Sequence, residues 1–325
     1  MKNIVVIYNG DDWYKDVPFR DASKQTRLSF EDWYMRAERY DIKFYRASIN
    51  WFDDEITAFT KAWTYENGRW IKIDNPIVPD AIYDKTAGKY DYKLFDRKMA
   101  IARKVPIYNH PLFRTITNNK LSQYMLFSAH MPATILASNA AEVRSALEQM
   151  SGSQTVIKPL HGSGGFGIFI GAKKDVNTAS LPYPVIVQEF IVSTKGIPGF
   201  SQRDEVADLR LIYTDHKLVY ALSRIAAEGS LFTNFHQGAR AVLVPDENIP
   251  SRVMKMARDI TQTLKTFPHA HYSLDFIFDD NGRPFLVEMN TTPGFDLLHI
   301  VGTEDIKERN FEAFAASIGS VLHSK

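Results

Sequence analysis

The sequence predicts a mixed α/β fold built from two or three closely packed lobes. The chain has 325 residues, which is long for one minimal core and short for three independent domains. Its first third alternates apolar runs with helical stretches, as a small α/β sheet would. The remainder contains a strand–glycine loop–strand unit and a strand hairpin beside several helices.

The composition excludes several classes of protein. Hydrophobic residues make up 45% and charged residues 24% of the chain, values that are ordinary for a globular protein. A net charge of +1 gives no field that would favour nucleic acid or acidic membranes. The chain has no cysteine, which excludes disulfides, thiol nucleophiles and thiolate metal sites. Neither a signal peptide nor a run of about 18 apolar residues is found. We therefore expect a soluble cytoplasmic protein that binds neither nucleic acid nor a membrane.

The first 110 residues predict the small α/β sheet. The expected elements are a strand at 4–8, a polar loop at 9–29, a helix at 30–39, and a strand at 77–83. The last of these ends in Asp84 and Lys85, as a strand that delivers polar groups at its carboxyl end would. All five tryptophans lie in this region: Trp13, Trp33, Trp51, Trp63 and Trp70. They could line a binding surface, but simple packing is the favoured interpretation.

The rest of the chain predicts strands interrupted by helices. Helical periodicity is found at 121–129, 140–150, 251–266 and 310–322. Strands are expected at 155–159, 167–170, 185–188, 209–213, 218–223, 273–278 and 284–289. The last two strands flank Asn281-Gly282, a strong hairpin signal.

A glycine-rich loop follows the strand at 155–159. Glycine permits positive φ angles and brings backbone N–H groups close to an anion, and Lys158 immediately upstream adds a positive charge. Strand leads to strand here, so the loop matches neither a Walker A motif nor a dinucleotide-binding turn. A flexible hairpin without a ligand is the alternative. The candidate loop residues are Gly162, Ser163, Gly164, Gly165, Phe166 and Gly167.

Two carboxylates and an amide lie on the last strand pair. Glu288 and Asn290 are two residues apart and face the same way, and the hairpin brings Asp275 within reach. Oxygen ligands of this kind suit Mg²⁺. A carboxylate within an apolar strand is costly unless it is paired or bound to metal. A salt bridge with a nearby arginine is therefore the alternative interpretation.

Two arginines complete the candidate site. Arg210 lies at the start of one strand and Arg224 at the end of the next. The planar guanidinium favours phosphate and acyl-phosphate groups, although each arginine taken alone would more often be a surface ion-pair partner.

The order of the candidate features along the chain resembles that of the ATP-grasp superfamily over about residues 111–300. These features are a lysine, the glycine loop, an acidic hinge, the arginines and the pattern Asp…Glu-x-Asn. The order is most similar to that of the RimK-type and glutathione-synthetase-like ligases. The resemblance implies an ATP-grasp fold in three parts: an N-terminal Rossmann-like pre-ATP-grasp lobe at 1–110, a central subdomain with the lid loop at 111–187, and a C-terminal subdomain at 188–325.

The resemblance also implies roles for individual residues. Lys120 and Lys158 would be the nucleotide-binding lysines, and residues 162–167 the loop that closes over the γ-phosphate. Arg210 would contact the γ-phosphate and acyl-phosphate, with Arg224 and Asn234 nearby. The adenine hinge would comprise Gln188, Glu189, Phe190 and Ile191, and the metal ligands Asp275, Glu288 and Asn290. The ribose-binding acid stays unassigned because residues 193–200 are longer than in compact members, and residues 1–110 contain no matching acceptor motif.

The implied activity is ATP-dependent amide formation through an acyl-phosphate. The cofactors would be ATP and Mg²⁺, with Mn²⁺ as an alternative metal. The substrate would be an amino acid, a peptide or the tail of a protein, and family members commonly form homo-oligomers. Two other functions stay open: an inositol-phosphate-kinase-like small-molecule kinase, and an ATP-binding regulatory protein without turnover.

Overall fold

The computed structural model describes residues 1–19, 22–162, 165–233 and 238–323. Three main sheets follow one another along the chain, with helices packed against them. The predicted mixed α/β fold is confirmed. Within the described ranges, no helix is both long enough and apolar enough to cross a membrane.

The first lobe contains a six-stranded sheet and a small two-stranded one. Its strands are β1 (Lys2–Tyr8), β2 (Ile42–Ser48), β3 (Phe52–Asp53), β4 (Ala58–Phe59), β5 (Ala62–Glu66), β6 (Arg69–Ile73), β7 (Ala81–Asp84) and β8 (Ile107–Tyr108). Its helices are α1 (Lys24–Ala37) and α2 (Asp91–Ala102). The large sheet has the order β6-β5-β2-β1-β7-β8, and β1 is parallel to both of its neighbours.

The helix α1 begins earlier than the sequence predicts. The expected loop at 9–29 is wrong from Lys24 onward, because Ser23 caps the helix there by accepting a hydrogen bond from the backbone N–H of Thr26 at 3.1 Å. Buried Phe30, Trp33 and Tyr34 hold the helix against the sheet.

The middle of the chain forms a four-stranded antiparallel sheet. Its elements are α3 (Pro111–Thr117), α4 (Lys120–Phe127), β9 (Thr134–Ala137), α5 (Ala140–Gln149), β10 (Gln154–Pro159), β11 (Phe169–Ala172) and β12 (Val185–Glu189). The strand order is β11-β10-β12-β9. The strand–glycine loop–strand unit predicted from the sequence thus consists of β10 and β11. These strands are antiparallel, and Ile157 pairs with Phe169 next to the loop.

The last part forms a five-stranded antiparallel sheet of order β15-β14-β13-β16-β17. Its elements are β13 (Ala207–Thr214), β14 (Lys217–Ile225), β15 (Arg240–Val244), α6 (Ser251–Leu264), β16 (His271–Phe278), β17 (Pro284–Asn290), α7 (Asp296–Val301) and α8 (Glu304–His323). The hairpin between β16 and β17 turns at the predicted place, with Gly282 at φ +75°. The final helix starts at Glu304, six residues before the expected 310.

Helix α8 ties the two ends of the chain together. Its buried Phe311, Phe314 and Ile318 share one hydrophobic core with the first lobe's Ile4 and Phe44. The C-terminal residues therefore pack on the first sheet as well as on the last, which fixes the two lobes on either side of a crevice.

The five tryptophans belong to the packing of the first lobe. Trp33, Trp51 and Trp63 are buried, and Trp13 and Trp70 pack against the same cores. None of them lines either of the two cavities described below, which agrees with the packing interpretation.

Candidate active site

Two cavities meet at a shared wall formed by Arg224 and Glu288. The first, about 280 Å³, lies between the four-stranded and five-stranded sheets. The second, about 600 Å³, lies between the first lobe and the five-stranded sheet. A group held at the shared wall is accessible from both sides.

The first cavity contains the residues expected to bind the nucleotide. Lys120, Lys158, Gln188, Glu189, Phe190 and Ile191 all line it. Its other walls are largely apolar and include Val156, Ile168, Ile170, Leu231, Phe232, Ile277 and Val287. An apolar slot with a few polar groups suits a flat heteroaromatic ring at one end and phosphates at the other.

Lys158 is held at the end of β10 by a polar network. Its Nζ donates to Gln188 Oε1 at 2.9 Å, and Gln188 Nε2 donates to Thr134 Oγ1 at 2.9 Å. Burial lowers the pKa of Lys158 to about 8, and Lys120 adds to this effect while Glu288 and Asp275 oppose it. Gln188 therefore acts as an orienting partner for the lysine.

Lys120 starts α4, where Asn119 caps the helix. Its Nζ lies 3.1 Å from Glu288 Oε1 and donates to the carbonyl of Gly162 at 2.9 Å. The lysine thus bridges the glycine loop and the expected metal ligand, as a cation between phosphate and metal sites would.

The glycine loop has the backbone conformation that its sequence predicts. Gly162, Gly165 and Gly167 have φ angles of +131°, +81° and +71°, a region that side chains other than glycine rarely adopt. Phe166 projects from the loop and is 68% exposed. Ser163 and Gly164, which the sequence analysis places in the same loop, lie outside the described residues.

Charged side chains of alternating sign form a network across β14, β13 and β16. Arg224 pairs with Asp208 through Nε at 2.8 Å and a second, shorter contact, and it also donates to Asp275 Oδ2 at 2.9 Å. Arg210 donates to both oxygens of Asp275, at 2.8 and 2.7 Å. Asp208, which the sequence analysis did not select, also accepts a hydrogen bond from Thr233 Oγ1 at 2.7 Å.

Asp275 is buried, yet it stays ionised. Burial alone would raise its pKa, but the positive charges of Arg210 and Arg224 outweigh that effect and lower it. Asp275 is thus paired with arginine, as the alternative interpretation of the sequence expects, and its role as a metal ligand stays a prediction.

The strand register brings the expected metal ligands onto neighbouring strands and close positions. Asp275 lies opposite Glu288, and Ser273 opposite Asn290. Asn290 Nδ2 is 3.5 Å from Asp275 Oδ2, which leaves its amide oxygen for another partner, and Glu288 contacts Lys120 through Oε1 only. Carboxylate and amide oxygens in this arrangement fit a hard divalent cation. Among the described residues, no three His, Cys, Asp or Glu side chains form a group that could hold a metal ion, so the expected site rests on two carboxylates and one amide.

The second cavity adds residues that the sequence analysis did not assign. Its first-lobe wall is polar and charged, with Asp11, Asp12, Lys15, Arg46 and Lys85. The opposite wall carries Arg210, Glu288, Asn290 and Asp296. Asp84-Lys85 at the end of a predicted strand was the one signal for this wall. Nothing local in the sequence marks Arg46, whose partner Asp12 is 34 residues away.

Arg46 is fixed by its surroundings. It donates to Asp12 Oδ2 at 2.8 and 3.1 Å, and its guanidinium lies 3.5 Å from the ring centre of Tyr8 and 4.3 Å from that of Phe19. A rigid, neutralised pair of this kind shapes the cavity wall. Asn234, expected near the phosphates, lies outside the described residues.

Comparison with known proteins identifies the family model and the relatives that this chain matches. Residues 119–295, more than half of the chain, match the family model described as the ATP-grasp domain of prokaryotic glutathione synthetase. A probable alpha-L-glutamate ligase of Pseudoalteromonas translucida (strain TAC 125) is 28% identical over 202 residues, which cover 58% of this chain and 60% of that protein. Its counterpart in Aliivibrio salmonicida (strain LFI1238) is 29% identical over 210 residues, covering 61% and 63%.

The chain thus spans less than two thirds of the length of these relatives. Among solved structures, D-alanyl-alanine synthetase A from Vibrio cholerae O1 biovar eltor str. N16961 has a TM-score of 0.66 at 13% identity, with 99% of both chains covered. At that identity the likeness shows the fold, and it extends over the first lobe as well as the matched domain.

Proposed function

The chain belongs to the prokaryotic glutathione synthetase ATP-grasp family, and on that basis we propose that it is an ATP-dependent carboxylate–amine ligase. The observation that carries the proposal is the wall of Arg224 and Glu288 shared by the two cavities. It allows a phosphoryl group to pass from a nucleotide on one side to a carboxylate on the other.

The nucleotide would be ATP, bound in the first cavity. The adenine would lie among the apolar walls near Phe190 and Ile191, and the phosphates would extend towards Lys120 and Lys158. The loop at 162–167 would cover them and exclude water, which would otherwise hydrolyse the activated intermediate.

The metal would be Mg²⁺, held by Glu288, Asn290 and Asp275. When bound, it would supply positive charge that offsets the charge developing on the transferred phosphoryl group. Because Arg210 and Arg224 already neutralise Asp275, Glu288 and Asn290 would be the principal ligands in the arrangement seen here.

The substrate would be a carboxylate bound in the second cavity. Arg210 lines that cavity together with Arg224 and would stabilise the acyl-phosphate through its planar guanidinium. An amine would then attack the acyl carbon to form an amide and release phosphate. The mixture of acids and bases on the cavity wall favours an amino acid or peptide, free or at the tail of a protein.

Phosphorus NMR with Mg-ATP and a pool of amino acids and dipeptides tests the proposal, with mass spectrometry of the products. ADP and free phosphate together with a condensed product would establish the ligase. A new phosphorylated metabolite would establish a small-molecule kinase instead. No consumption of ATP by this pool would contradict a ligase for free amino acids and dipeptides.

A further inference from the structure

Lys85 is placed at the point of the first sheet where ligands commonly bind. It directly follows β7, and its backbone N–H donates to the carbonyl of Ile7 in β1 at 3.0 Å. From β1 the chain continues to β2 on one side, while β7 lies on the other. In open α/β sheets, ligands bind outside the carboxyl ends of the strands at such a switch point.

The side chain of Lys85 reaches from the first lobe to the segment that follows β17. Its Nζ donates to the main-chain carbonyls of Pro293 at 3.0 Å and Thr292 at 3.4 Å, and it lies 4.6 Å from the ring centre of Phe295. Lys85 lines the second cavity together with Arg210. Lys85 therefore lies in the wall of the cavity proposed to hold the substrate.

These contacts leave one direction of the amine open. Two N–H groups donate to the two carbonyls, and the remaining position holds the third proton of the charged form or the lone pair of the neutral form. Across the described ranges, Lys85 has no ion-pair partner. A lysine intended only as a fixed cation would more commonly face a carboxylate, as Lys98 faces Asp84 and Asp91 in the same lobe.

The buried position of Lys85 favours the neutral form of its amine. Burial lowers the pKa of Lys85 to about 7, and the charge of Arg114 lowers it further, while Asp296 and Asp84 oppose the change. Asp84 is itself paired with Lys98 and Arg114. Buried His271, whose pKa is lowered by its burial, adds no positive charge at neutral pH.

We propose that Lys85 is the general base that takes a proton from the ammonium group of the acceptor amine. This inference rests on the proposed ligase function and adds the group that makes the amine nucleophilic. A base whose pKa lies near the working pH is the most effective for this task, whereas an ordinary lysine with a pKa of about 10.4 would stay protonated.

The step balances in atoms and charge. The lone pair of Lys85 Nζ takes one proton from the ammonium, and the freed amine forms a bond from nitrogen to the acyl carbon. The bond between that carbon and the phosphate oxygen breaks, and its electron pair leaves with the phosphate. The second proton of the nitrogen passes to the departing phosphate, and Lys85 later returns its proton to solvent.

Two substitutions separate a base from a simple cation. Lys85→Met removes the amine, whereas Lys85→Arg keeps a positive charge that cannot act as a base, because arginine is always protonated. Lys89→Met, at an exposed lysine four residues along the chain, is the matched control. Circular dichroism and thermal melting show whether each variant is folded.

The assay compares two nucleophiles with the same amino acid and dipeptide pool and Mg-ATP. Amide product is measured by mass spectrometry, and hydroxamate is measured after hydroxylamine is added. Hydroxylamine is already unprotonated at neutral pH and needs no base. We expect both Lys85 variants to lose about 100-fold or more of amide formation while hydroxamate formation is retained. In the wild type, amide formation should rise as the pH increases through about 7.

The outcomes distinguish the two proposals. Amide formation retained by Lys85→Arg would overturn the role as a base and leave Lys85 a binding cation. Equal loss of amide and hydroxamate in Lys85→Met would also overturn it, because the acyl-phosphate itself would then depend on Lys85. If the wild type makes neither ADP nor hydroxamate, the ligase function fails and this inference fails with it.

Discussion

Arg210 and Asp275 face each other across β13 and β16 and form a bidentate salt bridge, with nitrogen–oxygen distances of 2.8 and 2.7 Å. Arg224 adds a third contact to the same carboxylate at 2.9 Å. Breaking a buried pair of this kind leaves an uncompensated charge. The carboxylate therefore positions the two arginines that would stabilise the phosphoryl group, besides its expected contact with a metal.

Replacement of this carboxylate should abolish most turnover. We expect Asp275→Asn and Glu288→Gln each to lower kcat at least about 100-fold, because each removes charge that is fixed at the reacting centre. ATP consumption at saturating Mg²⁺ is the measurement. Asp204→Asn, at an exposed carboxylate outside the cavities, is the control. Turnover retained in both variants would overturn the assignment of the metal ligands.

Lys158 should contribute chiefly to nucleotide affinity. We expect Lys158→Ala to weaken ATP binding on the order of 10-fold or more, because a hydrogen bond to a charged group contributes about 1.5–3 kcal/mol. Isothermal titration calorimetry with a non-hydrolysable ATP analogue measures the change. The exposed Lys174 provides the matched control as Lys174→Ala. Equal affinities for the analogue in both variants would count against a phosphate contact at Lys158.

His271 should make the fold sensitive to acid. Burial lowers its pKa to about 3, and its Nδ1 lies 3.0 Å from Thr214 Oγ1. Unfolding exposes a histidine with an ordinary pKa of about 6.5, so the unfolded state binds the proton first. The stability contributed by neutral His271 is complete above pH 6.5 and is lost as the pH falls towards 3.

The substitution His271→Gln isolates this effect, because glutamine does not titrate. Urea denaturation of both proteins at pH 7.5 and pH 5.0 gives the difference in unfolding free energy at each pH. We expect that difference to shift by about 2 kcal/mol in favour of the variant at the lower pH. A difference that stays constant with pH would mean that His271 protonates in the folded protein.

The buried ion pairs behind Lys85 should stabilise the first lobe. Lys98 contacts Asp84 at 2.8 Å and Asp91 at 2.6 Å, and Arg114 contacts the same two carboxylates at 2.8 and 3.2 Å. We expect Lys98→Met to lower the free energy of unfolding by about 3–5 kcal/mol, because it leaves excess buried negative charge.

Urea denaturation at pH 7.5 checks this expectation. The control is Lys93→Met, at an exposed lysine of the same helix, which should change stability by no more than about 0.5 kcal/mol. If Lys98→Met were no more destabilising than this control, the four charges would not act as a network.

The chemistry on β16 and β17 could be predicted because it depends on local signals. One hairpin turn and the two-residue period of a strand were enough to place Asp275 within reach of Glu288, although a β-bulge next to Asp275 sets their direct pairing. Arg210 could not be predicted as the arginine that pairs with Asp275, because this requires knowing that two strands 65 residues apart are neighbours.

The first lobe was less predictable for a physical reason. Helix α2 buries Asp91 and Lys98 as ion pairs, so charged residues interrupt the apolar face that it forms with Leu94 and Ile101. Strand β2 carries Arg46 towards the second cavity, and only the folded sheet shows that it lies near Lys85. The sequence marked the phosphate side of the site more clearly than the acceptor side.

The two walls of the second cavity come from separate stretches of the chain, so that one wall can change its sequence without the other. The groups expected to handle phosphate lie on the four-stranded and five-stranded sheets and at the start of α4, within the segment shared with the family. The charged groups of the first-lobe wall lie at or beyond the carboxyl ends of β1, β2 and β7. Under the proposed function, substitutions at those strand ends would change the acceptor while the phosphate contacts are preserved.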